Sequence, residues 1–257
     1  MSTTRLVLVL VQTLFNELAS TPPNPTPEKG RYATDQLYIF RLGPLILRIQ
    51  QLLVRLCTAL EILFYLLALD AFSTFIPSHG YRIPLPASES ALHLPRAFAK
   101  PTPLTPTPVF LFGVLLVVAG GLLRLTCFRY LGELFTFHLS VHPSHRLITS
   151  GPYSIVRHPA YVGSLSIIAG LICSHFTPGS WLWEIGPLAF LSLHPFVGIG
   201  SVRACVAFAF AAVWWLWTLG IGLSRVVAED KQMCLLFQEE WDAYAARVRW
   251  WFIPGLI

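Results

Sequence analysis

Ala204 to Ser224 reads ACVAFAFAAVWWLWTLGIGLS, an uncharged run bracketed by Arg203 and Arg225. A helix rises about 1.5 Å per residue, so roughly twenty apolar residues span about 30 Å of hydrocarbon. Three further stretches have the same character. Val109 to Leu123 continues past Arg124 to Phe128, Pro159 to Trp183 is uncharged, and Leu52 to Ile76 is interrupted by Arg55, Glu61 and Asp70. Ionisable groups in such a setting should face other helices or snorkel to the interface. The run from Leu6 to Asn16 is short: a tilted span, a signal-anchor or an interfacial helix. It has no small-residue cleavage site, so it is read as retained. The expectation is an all-α, multi-spanning membrane helical bundle of about five spans, with a C-terminal amphipathic helix.

The composition of the 257 residues agrees: 54% are hydrophobic and 12% charged. Soluble domains carry roughly 25% charge, so an ordinary soluble enzyme is excluded, along with a disordered tail or a disulfide-stapled module. The net charge of +5 fits anionic headgroups and the positive-inside bias. No basic run with interleaved aromatics suggests nucleic acid. Cys57, Cys127, Cys173, Cys205 and Cys234 are widely spaced, contain no C-x-x-C, and read as buried thiols.

Proline-rich connectors lie at Thr21 to Pro27 (TPPNPTP) and Lys100 to Pro108 (KPTPLTPTP). The organisation expected is residues 1–108 as N-terminal membrane helices and loops and 109–257 as a catalytic core. Within that core 181–201 is apolar but broken by Gly186, Pro187, Pro195, Gly198 and Gly200. It reads as a re-entrant or interfacial insert, because broken backbone survives in hydrocarbon only against protein or water. After Arg225, Met233, Phe237, Trp241, Tyr244 and Val248 recur at helical spacing, a stripe expected to lie at the membrane surface.

Two stretches depart from the apolar background. The first is Leu131 to Gly163, LGELFTFHLSVHPSHRLITSGPYSIVRHPAYVG. Proline is favoured at a first helical position, so a span should begin at Pro159 with His158 as its N-cap. Free N–H groups there, with Arg157 beside them, favour an anion. Taken singly, the same Arg and His could simply anchor a span in headgroups. The second stretch is Arg225 to Pro254, RVVAEDKQMCLLFQEEWDAYAARVRWWFIP, where Arg225 and Glu229 share a helix face. They are either a plain ion pair or two opposite charges facing one cavity. His138, His142 and His145 are spaced for a metal, but Pro143 interrupts them and no carboxylate or cysteine completes a set, so no metal is expected.

Together the two stretches resemble isoprenylcysteine carboxyl methyltransferases, membrane enzymes that methylate the C-terminal prenylated cysteine of processed proteins. The resemblance rests on Leu131-Gly132, Phe137-His138, His145 to Tyr153, Arg157 to Gly163, Arg225 with Glu229, Phe237 to Val248, and Pro254. It implies S-adenosylmethionine as cofactor, held by His145, Arg146, Leu147, Ile148, Tyr153, His158, Pro159, Ala160, Tyr161 and Glu229. It implies Arg225 as the residue handling the substrate carboxylate. Prenylated protein C-termini (farnesyl- or geranylgeranyl-cysteine) and the bilayer would be the partners, and the endoplasmic reticulum membrane the location, with the site facing the cytosol. Departures from the family pattern are a longer interval before Arg225, a shorter one between His138 and His145, and Asp230 in place of a second glutamate.

The cofactor comes from one side, so residues 129–158 and the tail after 225 must share it, and an even number of spans must separate them. Of the stretches 159–176, 181–201 and 204–224, the broken middle one is the candidate that fails to cross. Alternatives are a phospholipid N-methyltransferase, which would need a base to free the amine lone pair, a sterol-reductase-like enzyme using NADPH, or an inactive scaffold.

Overall fold

A computed structural model of the chain describes residues 2–25, 31–32, 42–68, 104–141, 143–190 and 199–256. Its described residues form α1 (Thr3–Ser20), α2 (Gly43–Ala68), α3 (Pro108–Leu131), α4 (Pro159–His175), the single turns α5 (Trp181–Glu184) and α6 (Pro187–Phe190), α7 (Ile199–Phe237) and α8 (Glu239–Arg247). One isolated bridge, Arg31 to Ser140, is antiparallel. The architecture is the all-helical membrane bundle that the apolar runs predict. Among the described residues, Gly43–Leu66, Pro108–Leu134 and Val202–Phe237 are long and apolar enough to cross a membrane. Pro159–His175 is a shorter apolar helix. The expected count of about five spans adds α4 and α1 to these three.

Local chemistry sets the helix starts. Thr107 caps α3, its hydroxyl accepting from the Phe110 N–H at 3.2 Å, and Pro108 occupies the first turn. Pro159 opens α4 directly after His158, as its position in the sequence predicts. The α3–α4 pair is the centre of the bundle and packs backbone against backbone. A Cβ on Gly170 would stand 2.4 Å from the Gly113 carbonyl oxygen, and one on Gly120 would stand 2.6 Å from that of Gly163. Small residues let membrane helices approach this closely, where dispersion and not hydrophobic exclusion holds them.

The first helix is apolar outward and polar inward. Val7, Leu10, Leu14 and Leu18 are exposed, while Arg5, Gln12 and Asn16 are buried. Their partners come from neighbouring helices. Arg5 pairs with Glu61 of α2 at 2.9 Å, Gln12 contacts His175 of α4 at 2.9 Å, and the Gln50 amide donates to Asn16 at 2.8 Å. Such inversion suits a helix whose outer surroundings are hydrocarbon and whose polar groups must find protein. The charges inside the Leu52–Ile76 run are thereby placed. Glu61 meets Arg5, whereas Arg55 pairs with Glu17 in an exposed position; Asp70 lies outside the described residues.

Two sequence expectations need correction. Beyond the last apolar run α7 continues unbroken through Arg225 to Phe237, 39 residues in all. At 1.5 Å per residue that is about 58 Å, so its C-terminal part projects well beyond a bilayer core. The chain turns at Gln238, where φ is +44°, and re-enters as α8. The apolar stripe of this region does not rest on a membrane surface. Trp241, Tyr244 and Val248 are buried against Leu147, Met233 and Phe237 of the protein itself. The thiols also differ from expectation: Cys127 is buried, but Cys205 and Cys234 are exposed.

Within the broken stretch, α5 and α6 are four residues each, far too short to cross; 191–198 lie outside the described residues. Arg203 at the start of α7 lies over the Trp183 ring at 4.2 Å and donates to the Trp183 carbonyl at 3.0 Å.

Candidate functional site

A cavity of about 250 Å³ opens where α4, the projecting half of α7, α8 and the 132–148 loop meet. His145, Arg146, Leu147, Ile148, Tyr153, His158, Ala160, Tyr161, Arg225 and Glu229 all line it. Pro159 does not; it is buried in the first turn of α4, where it orients the residues on either side.

The 3-10 turn Gly151–Ser154 and the α4 start present Tyr153, His158 and Tyr161 together. Opposite them, one face of α7 presents Arg225, Glu229 and Met233. The two walls are joined through one phenol. Tyr161 Oη donates to Glu229 Oε1 at 2.6 Å and accepts from Arg225 Nε at 2.9 Å. Arg225 Nη2 also donates to the Phe137 carbonyl at 2.8 Å, which binds the loop to α7. Arg225 and Glu229 themselves stand 4.0 Å apart. They are therefore not a simple ion pair, because Tyr161 stands between them.

A second junction lies beside it. Asp230 accepts from Arg157 Nη1 at 2.8 Å and from Trp251 Nε1 at 3.0 Å, and stands 2.6 Å from His158 Nε2. The other imidazole nitrogen faces Glu229 at 3.4 Å. Burial alone would lower the His158 pKa, but the bonds to Asp230 and Glu229 outweigh it and hold the ring above the usual histidine range. The anion expected at the mouth of α4 is thus the protein's own Asp230. The Arg157 and His158 N–H groups are likewise taken by the Trp250 and Trp251 carbonyls, at 2.8 and 3.0 Å. Arg157 Nε is buried and has no hydrogen-bond partner among the described residues.

Burial pushes the Tyr153 phenol well above its ordinary range, so it stays neutral, and its carbonyl accepts from Tyr244 Oη at 2.8 Å. That bond fastens α8 over the cavity. His145 lies near the Phe237 ring at 6.0 Å; His142 lies outside the described residues.

Several lining groups were not singled out from the sequence. Arg124 donates to the carbonyls of Ala19 (2.7 Å) and Ala160 (3.1 Å) and to the Ser164 hydroxyl, tying α1, α3 and α4 together. A lone arginine inside an apolar run was its signal. Tyr32, Gln50 and the first turns of α2 also line the cavity. Nothing local in the sequence marks them, because only the approach of the N-terminal helices brings them there.

The architecture is that of a membrane protein with a largely apolar cavity in which Arg225 and Glu229 meet Tyr161 and His158 from a distant segment of the chain. Residues 113–192 match the model of the isoprenylcysteine carboxyl methyltransferase (ICMT) family. The chain is also 27% identical over 139 residues to protein-S-isoprenylcysteine O-methyltransferase B of Arabidopsis thaliana, a stretch covering 53% of this chain and 55% of that relative. The chain therefore spans about half the length of the curated relative it matches. No solved structure matches. The resemblance drawn from the motifs is upheld by both comparisons.

Proposed function

We propose that this protein is an S-adenosylmethionine-dependent methyltransferase that esterifies the C-terminal carboxylate of prenylcysteine on prenylated proteins. The observation that carries the reading is the Arg225–Tyr161–Glu229–His158 chain, which sets a cation and an anion at fixed positions on one cavity wall.

The donor set suits the cofactor. Its ammonium or ribose would meet Glu229, its carboxylate would meet Arg146, which lies outside the Asp230 clasp, and its aromatic base would meet the Tyr153 and Trp241 side of the cavity. His145, Leu147, Ile148 and Ala160 would shape the remaining wall, with Pro159 behind them fixing the first turn of α4. His158 has both ring nitrogens engaged, so its part is to hold Glu229 and Asp230 in place. When bound, the cofactor would supply a sulfonium methyl, whose bond to sulfur breaks, with the electron pair returning to sulfur, as a carboxylate oxygen takes the carbon.

The chain's own residues need move no proton. A prenylcysteine carboxylate is already ionised at neutral pH. Arg225, with Nε and Nη2 committed to the protein, would offer Nη1 to that carboxylate. Its acceleration would come from positioning and from exclusion of water. The prenyl chain would enter between helices, past the apolar flank of Ile46, Leu47, Leu165 and Ile221. In this reading the protein resides in the endoplasmic reticulum membrane, with the projecting end of α7 and the cavity on the cytosolic side.

Membranes containing the protein, given methyl-labelled cofactor and a farnesylated cysteine analogue, should form a base-labile methyl ester. Arg225→Ala and Glu229→Ala should abolish it. Label appearing in phosphatidylcholine instead would replace this reading with phospholipid N-methylation.

A further inference from the structure

Asn24, Arg31 and Tyr32, between α1 and α2, are fastened to the loop along the rim of the cavity. Asn24 Nδ2 donates to the carbonyls of Gly132 at 2.6 Å and Phe135 at 3.1 Å. Further along, Tyr32 N–H donates to the Leu139 carbonyl at 3.0 Å, and Arg31 bridges to Ser140. These contacts fix the backbone of Tyr32 beside the loop whose Phe137 carbonyl anchors Arg225. The Tyr32 side chain lines the cavity. Burial, and then the charge of Glu229, keep its phenol protonated, and it is close enough to Arg225 for that charge to act on it as well.

A carboxylate held by a single guanidinium nitrogen can still swing about that contact. Arg225 Nε–H and one N–H of Nη2 are taken by Tyr161 and Phe137, so the Nε–Nη2 fork is closed to a carboxylate, and a further donor would fix its plane. We infer that Tyr32 is that donor: a substrate-positioning residue, contributed by the N-terminal part of the chain, whose hydroxyl bonds the acceptor carboxylate opposite Arg225. The oxygen that attacks keeps a free lone pair, because the phenol donates one proton to a group with about four lone-pair sites. Tyr32 neither gains nor loses a proton in the step.

This inference rests on the proposed function, and one experiment separates the two. Wild-type protein and Tyr32→Phe would be compared in the same membranes for methylation of a farnesylcysteine analogue. Binding of the free-acid analogue, of an analogue with hydrogen in place of the carboxylate and of the cofactor would be measured in parallel. Tyr32→Phe should weaken binding of the acid and raise its KM by about tenfold, the effect of losing one hydrogen bond to a charged group. Affinity for the analogue without the carboxylate and for the cofactor should not change. Equal weakening of the acid and of the analogue without the carboxylate would mean that Tyr32 only packs, and unchanged kinetics and acid affinity would mean that it makes no contact; either result overturns the inference and leaves the activity standing. A wild-type protein that forms no ester and binds no acid overturns both.

Discussion

His158 Nε2 and Asp230 Oδ1 stand 2.6 Å apart although 72 positions separate the two residues in the chain. The same carboxylate takes Arg157 and the Trp251 indole, so three groups from the α4 start and the C-terminal tail share one anion on α7. This junction holds the two walls of the cavity together from outside it.

Removing the anion should strand a largely buried guanidinium and imidazole. Asp230→Ala is expected to cost on the order of 3 kcal/mol, the loss that follows when one partner of a buried pair is deleted. Thermal unfolding in detergent should show a midpoint lowered by several degrees. The pH dependence has a definite sign. The His158 pKa is raised in the folded protein, so its contribution is complete below the unfolded value near 6.5 and is lost as pH rises through the folded value. The stability gap between wild type and His158→Gln should therefore be widest in mildly acidic buffer and narrow in alkaline buffer. A gap that widened with pH would contradict the charged pairing.

Tyr161→Phe removes only the hydroxyl that links Glu229 with Arg225. Each charge then loses one of its partners, a penalty of about 1–3 kcal/mol. Methyl-ester formation should fall by roughly tenfold to a hundredfold, and cofactor affinity should fall with it. Kinetics indistinguishable from wild type would remove Tyr161 from the site.

Gly170→Ala should separate α3 from α4, since the new methyl would lie 2.4 Å from the Gly113 carbonyl, backbone that has no room to retreat. A loss of about 1–3 kcal/mol is expected for such overpacking, read as a lower midpoint and reduced yield of folded protein. Gly222→Ala is the control, because its methyl would meet Tyr161 at 3.6 Å, an ordinary contact, and should leave stability nearly unchanged.

Arg5 and Glu61 are each 1% exposed and pair at 2.9 Å. Arg5→Leu or Glu61→Leu alone should each cost about 3–5 kcal/mol by leaving an uncompensated charge, and the double variant should recover most of that loss. Equilibrium unfolding of the three variants in detergent would measure the coupling; additive losses would mean that the two charges do not depend on each other.

The sequence alone determined the long apolar helices, the helix start at Pro159, and the set of residues that carries the family resemblance. These depend on unbroken apolar length, on proline's fixed φ and on short motifs, all of which act within a few residues. The tertiary structure decided which distant groups meet. Asp230, a mere departure from a motif in the sequence, became the anion at the mouth of α4. The stripe after Arg225 found Leu147 and not lipid, because α7 runs on past the bilayer and turns only at Gln238. Tyr32 and Gln50 joined the cavity because α1, polar on its inner face, draws the N-terminal helices against α3 and α4. Apolar periodicity shows which face a helix buries, but not what it buries that face against; only long-range packing does that.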